Sequence, residues 1–79
     1  MIKLKLLAGL KEYAPSVDED GCFTVEYRSG MTIADALGQT RLSEAGVKYT
    51  VFLNNRRKNV GDVLQDGDAV TVMALLVGG

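Results

Sequence analysis

The sequence predicts an α+β domain of two layers, a mixed β-sheet with one main helix packed on one face. Three observations carry that prediction. Ile2, Leu4 and Leu6 alternate with Lys3 and Lys5 at the start of the chain, which is the period of a half-buried strand. In the middle, Thr32 followed three residues later by Asp35 offers a helix N-cap with an acid in the first turn, and Ile33, Ala36 and Leu37 lie at helical spacing behind it. Near the end, the tight-turn signal Asp66-Gly67-Asp68 introduces an apolar, β-branched run from Val70 to Val72. Strand patterns at both ends with one helix between them fit a single sheet covered on one side.

Taken in order, Ile2 to Leu7 forms the first strand, with Ile2, Leu4 and Leu6 inward. Ala8 to Asp20 has no sustained period, holds the only proline, Pro15, and ends in Asp18-Glu19-Asp20, so it reads as a long loop with a helical turn near Leu10 to Tyr13. Gly21 opens the return, and Cys22 to Tyr27 makes a second strand with Phe23, Val25 and Tyr27 on one face. Ser29-Gly30 is a turn signal before a short helix from Ile33 to about Thr40, with Gly38 near its end. Arg41 to Lys48 is a connector that Leu42 and Val47 fasten to the core. Tyr49 to Leu53 is the third strand, and Asn54-Asn55, residues that tolerate positive φ, turn the chain back into a short partner from Arg56 to Val60. Val63 and Leu64 supply a small apolar contact before the last strand. The first and last strands can lie parallel at the centre of such a sheet.

Length and composition narrow the function. Seventy-nine residues make one domain, and 47% apolar content is enough for an ordered globule. Nine basic and ten acidic residues leave a net charge of −1, against the basic excess of a nucleic-acid binder. There is no apolar run of about 20 residues, and Lys3 and Lys5 interrupt any signal-peptide core, so no membrane contact is expected and the cytoplasm is the default location. Cys22, the single cysteine, cannot form an internal disulfide. Histidine is absent, which removes the commonest general base and metal ligand, so a catalytic triad or a zinc site made by this chain alone is not expected.

The chain closes on Gly78-Gly79. Without side chains the pair can adopt any φ and can enter a narrow active site that a Cβ would block. A terminal carboxylate, with an ordinary pKa of roughly 3.3–3.7, is ionised at neutral pH and can attack an activated phosphate. Two successive glycines arise by chance at a given place in about one chain in two hundred, and the alternative is an ordinary frayed end.

The strand-loop start Lys3 to Tyr13, the turn Val63-Leu64-Gln65-Asp66-Gly67-Asp68, the order of elements and the final Gly-Gly together resemble the ubiquitin-like, β-grasp sulfur carriers. These include the small subunit of molybdopterin synthase and the thiamine-pathway sulfur carrier. The likeness covers essentially the whole chain, read as one domain over 1–79 with 77–79 a flexible tail. It implies that an ATP- and Mg-using, E1-like enzyme adenylates the Gly79 carboxylate, and that a persulfide sulfur displaces AMP to leave a thiocarboxylate. Sulfur would then pass to an acceptor enzyme such as a molybdopterin synthase large subunit or thiazole synthase. Where the molybdopterin type has an aromatic and a proline pair, this chain has Met73, Ala74 and Leu75, so the resemblance does not choose between the two branches.

Within this scheme Gly79 is the modified terminus, and Gly78 and Val77 thread the partner's active site. Thr71, Met73 and Leu75 are set on the sheet face opposite Val70 and Val72, where they either dock a partner or lie under the helix or a loop. Arg56 and Arg57 belong to a basic hairpin that is either a solvated turn or a contact for an acidic partner. Asp18-Glu19-Asp20 reads as a solvated loop rather than a metal site, and Cys22 as a half-buried strand residue rather than a reactive thiol. Two other functions compete with the carrier: a protein modifier joined through Gly79 to lysine amines, and a β-grasp interaction module whose tail does no chemistry.

Overall fold

The computed structural model describes residues 1–7 and 9–75. Five strands form one sheet: β1 (Ile2–Leu6), β2 (Cys22–Val25), β3 (Tyr49–Leu53), β4 (Arg56–Lys58) and β5 (Ala69–Ala74). Their order across the sheet is β2-β1-β5-β3-β4. β5 runs parallel to β1, with Leu4 opposite Val70 and Leu6 opposite Val72, and antiparallel to β3, with Val51 opposite Val72. The first and last strands are therefore central neighbours, and β2 and β4 form the edges.

Register and alternation build the core. Partners across a ladder point to the same face. Ile2, Leu4, Leu6, Val25, Val51, Val70 and Val72 thus share one side of the sheet, and all are buried. Ile33, Ala36 and Leu37 of the helix α1 (Ile33–Leu37) close over them with Leu10, Met31, Leu42 and Leu64. Each fully buried Leu or Ile of this set is worth roughly 1.5–3 kcal/mol of transfer free energy.

The helix is short, so its start must be well made. Thr32 Oγ1 accepts from the Asp35 backbone N–H at 3.2 Å, and Asp35 Oδ2 accepts from the Thr32 N–H at 2.9 Å, a reciprocal capping box. Two further helix-end donors are satisfied from a distant loop: the Ile33 N–H donates to the Asp62 carbonyl and the Ala34 N–H to the Val60 carbonyl. The segment after β4 is thereby laid across the start of α1.

Several boundaries differ from the sequence expectation. α1 stops at Leu37 rather than Thr40, because the Thr40 hydroxyl turns back to donate to the Leu37 carbonyl and accepts from the Leu42 N–H, which satisfies this buried group. The connector contains its own helical turn, α2 (Leu42–Ala45), ended by Gly46 at φ 67°. β1 stops at Leu6 and β2 at Val25, although Tyr27 still packs against the core. β4 ends at Lys58 because the Asn59 N–H turns to the Asp62 carboxylate at 2.9 Å. Leu64 is buried as expected, whereas Val63 is 61% exposed. The helical turn Leu10–Tyr13 lies where the sequence placed it, and Asn54 and Asn55 turn with φ of 53° and 64°.

Candidate functional site

The end of β5 and the uncovered face of the sheet make up the candidate site. Thr71 and Met73 alternate with Val70 and Val72, and so fall on the face opposite the helix. The Leu75 N–H donates to the Lys48 carbonyl at 3.0 Å, which continues the β3 pairing one residue beyond the strand. Met73 is 41% exposed and Leu75 44% exposed, so no helix or loop among the described residues closes over them. Leu76 lies outside the described residues, as do Val77, Gly78 and Gly79, the expected tail.

Cross-strand register adds residues that the sequence did not group. Lys5 is opposite both Cys22 and Thr71, Phe52 is opposite both Thr71 and Arg57, and Thr50 is opposite Met73. One row across the whole sheet therefore reads Cys22, Lys5, Thr71, Phe52, Arg57. A shallow hollow on this face is lined by Phe52, Asn54, Asn55, Ala69, Thr71 and Met73. Alternation already placed Lys3 and Lys5 outward, but only the parallel pairing of β1 with β5 brings Lys3 beside Ala69 and Lys5 beside Thr71. Phe52 carried no such signal, since every residue from Tyr49 to Leu53 except Thr50 is apolar or aromatic.

Structure separates the two arginines grouped in the sequence. Arg57 pairs with Phe52 and joins Thr71 and Met73 on the open face. Arg56 pairs with Leu53, and with Lys58, Val63 and Gln65 it lines a different hollow beyond the opposite face of the hairpin. Of the two, Arg57 alone sits with the end of β5.

The acidic loop is occupied with its own closure. Asp18 Oδ1 accepts from the N–H groups of Asp20 and Cys22, both at 2.9 Å, and the Asp18 N–H donates to the Cys22 carbonyl at 2.8 Å. The hydrogen bond from Cys22, followed by that from Asp20 and the charge of Lys3, holds the Asp18 carboxyl below its ordinary value of 3.8. Among the described residues no three Cys, Asp or Glu side chains are placed to hold a metal ion. Cys22 is a free, half-buried thiol. No helix among them is long and apolar enough to cross a membrane.

The architecture has solved counterparts. The crystal structure of SAMP1 from Haloferax volcanii superposes with a TM-score of 0.73 at 22% identity, over 99% of this chain and 98% of that one. A crystal structure of H. volcanii small archaeal modifier protein 1 gives the same TM-score and identity over 95% and 97% of the two chains. The fold is the ubiquitin-like β-grasp. No family model matches the chain, and no curated protein matches it. The agreement extends over nearly the full length of both chains.

Proposed function

We propose that the protein is a sulfur carrier charged at the carboxylate of Gly79. An ATP-dependent activating enzyme adenylates that carboxylate, with pyrophosphate leaving. The outer sulfur of a persulfide attacks the acyl carbon and AMP departs. A thiol then opens the S–S bond of the acyl persulfide and frees a thiocarboxylate, a soft nucleophile that delivers sulfur in the making of a cofactor of molybdopterin or thiamine type. The chain supplies the handle and the docking surface, and its partners supply the catalytic groups. Those partners are the adenylating enzyme with its ATP and Mg, the persulfide donor and the acceptor enzyme.

What supports the reading is continuity along one strand. β5 is held on both sides at the centre of a β-grasp sheet, it carries exposed Met73 beyond its buried valines, and the sequence past Leu75 runs Leu76, Val77, Gly78, Gly79. The paired strand is thus followed in the sequence by a segment whose last two residues have no side chain to keep them out of a narrow active site. Met73, Leu75, Thr71 and Arg57 are the residues that meet the partner beside that entrance.

A second reading is favoured by the name of the solved structures that share the fold, a modifier protein. The same adenylate can be attacked by a lysine amine, which would join Gly79 to other proteins. One experiment separates the two. The 79-residue protein is incubated with its activating enzyme, ATP and a persulfide donor, and its intact mass is measured. A gain equal to the exchange of one oxygen for one sulfur, absent after deletion of Gly79, supports the carrier. Isopeptide-linked products without that gain support the modifier, and neither product refutes both.

A further inference from the structure

An aspartate followed by glycine is open to a reaction of the chain with itself, because no side chain on the second residue shields its backbone nitrogen. The sequence holds two such pairs, Asp20-Gly21 and Asp66-Gly67. Both aspartates are exposed, and both glycines turn the chain at positive φ, 77° and 91°. In each pair the glycine N–H donates to a carbonyl, that of Asp18 at 3.0 Å and that of Met1 at 3.2 Å, so the two nitrogens start alike. Their carboxyl groups do not. Of the six aspartates, Asp18, Asp35, Asp62 and Asp68 accept from backbone N–H groups and Asp66 accepts from the Met1 amino group. No donor among the described residues reaches the Asp20 carboxylate. The hydrogen bond from the Met1 amino group, with its charge, also holds the Asp66 carboxyl below its ordinary value of 3.8. A second difference lies above the glycines. A Cβ built on Gly21 would lie 3.4 Å from Lys11 Nζ, whereas one built on Gly67 would have nothing within 4 Å. Lys11, on the helical turn Leu10–Tyr13, thus brings its ammonium beside the Asp20–Gly21 peptide.

From these two differences we propose that Asp20-Gly21 is a modification site, where the chain isomerises to isoaspartate while Asp66-Gly67 is held back. The Gly21 nitrogen attacks the side-chain carboxyl carbon of Asp20 in its neutral acid form. The new C–N bond closes a five-membered succinimide, and the proton of the nitrogen leaves with the carboxyl hydroxyl as water. Water then adds to either ring carbonyl and one C–N bond reopens. That returns aspartate, or leaves the main chain running through the side-chain carbon of Asp20. No electrons are exchanged with any other group. Two features promote the step at Asp20. Its carboxyl is free to turn toward the Gly21 nitrogen, whereas Asp66 must first leave the ammonium that keeps it ionised. Lys11 lowers the cost of the negative charge that gathers on the nitrogen and oxygen as the ring closes. The product disturbs the fold at a defined place. Asp18 ties off this loop, donating its N–H to the Cys22 carbonyl at 2.8 Å and accepting the Cys22 N–H at 2.9 Å. One extra main-chain carbon inside that closure displaces Cys22 from its position opposite Lys5, where β2 begins. The α-carboxylate freed at Asp20 is the group that an isoaspartyl carboxyl methyltransferase, using S-adenosylmethionine, takes as substrate. None of this depends on the carrier reading.

The test ages the full 79-residue chain at neutral pH, folded and in guanidinium chloride. Both sites are read by peptide mapping with electron-transfer fragmentation, which separates isoaspartate from aspartate at equal mass. Methyl transfer from labelled S-adenosylmethionine by an isoaspartyl carboxyl methyltransferase counts the product independently. In the folded chain Asp20 is expected to convert about three- to tenfold faster than Asp66, the scale of one hydrogen bond that must be broken first. In guanidinium chloride the two rates should converge. Lys11→Gln is expected to slow conversion at Asp20 about two- to fivefold and to leave Asp66 unchanged. Asp20→Glu, whose ring would be six-membered, should remove the signal at that position alone. Urea midpoints confirm that each variant is folded. Conversion of Asp66 as fast as Asp20 in the folded chain overturns the proposal. So does a lead for Asp20 that persists in guanidinium chloride, which would place the cause in the neighbouring sequence rather than in the fold. A folded Lys11→Gln chain that converts at the wild-type rate overturns the part given to Lys11.

Discussion

Val72 and Met73 are consecutive residues on one strand, and they should fail in different assays. Complete burial of a side chain of this size is worth about 1.5–3 kcal/mol. Met73 and Leu75 keep 41% and 44% of their surface exposed, so a partner closing over them would gain about 0.6–1.3 kcal/mol from each. Truncating both, Met73→Ala/Leu75→Ala, would forfeit about 1.3–2.6 kcal/mol of docking, roughly an eight- to seventyfold rise in KM. Ordering costs at an interface pull the expectation toward the lower end of that range. The free protein loses stability as well, because the larger part of each residue is already covered in the fold, so KM is compared at a temperature where the variant remains folded. Val72→Ala separates the two effects from the other side. Val72 is fully buried between Leu6 and Val51, and its loss should cost about 2–3 kcal/mol of stability with KM unchanged at a temperature where the variant is folded. The assays are the carrier-concentration dependence of pyrophosphate release by the activating enzyme and urea denaturation of each variant. If Met73→Ala/Leu75→Ala keeps the wild-type KM, or loses activity only in step with stability, the open face is not the docking surface.

Other expectations follow from local geometry. Thr32→Ala should cost about 1 kcal/mol in chemical denaturation, and Asp35→Ala should add less on top of it than alone, because each residue caps the other's backbone N–H. Asp18 should titrate below 3.8 by NMR. Since its folded pKa is depressed, its contribution is present above the unfolded value and is lost as pH falls through the folded one, so Asp18→Ala should flatten the acid limb of the stability curve below about pH 4. Asn55→Gly should be neutral or slightly stabilising in thermal melts, whereas Asn55→Val, which forces a β-branched residue to φ 64°, should cost about 1–2 kcal/mol.

The sequence carried the local half of this structure and not the relational half. Alternation in Ile2 to Leu6, the Thr32–Asp35 cap and the Asn54-Asn55 turn each rest on physics that acts within a few residues, and each is found where expected. Boundaries were lost where distant groups decide them. β4 ends at Lys58 because the Asp62 carboxylate captures the Asn59 N–H, and α1 ends at Leu37 because the Thr40 hydroxyl folds back onto it. For the candidate site, parity alone put Thr71, Met73 and Leu75 on one face. Lys5, Phe52 and Arg57 could join them only through the pairing of three separate strands with β5, and the separation of Arg56 from Arg57 needed the same register.

The parallel pairing of β1 with β5 bears on how the molecule takes a load. A force applied at Leu75 along the axis of β5 meets hydrogen bonds to β1 and β3 that lie across that axis. The bonds are then strained together in shear, whereas a tug on the β3–β4 turn would peel β4 from the sheet's edge one pair at a time. Traction on that end of β5 is thus shared among all the bonds that flank the strand rather than taken up one pair at a time.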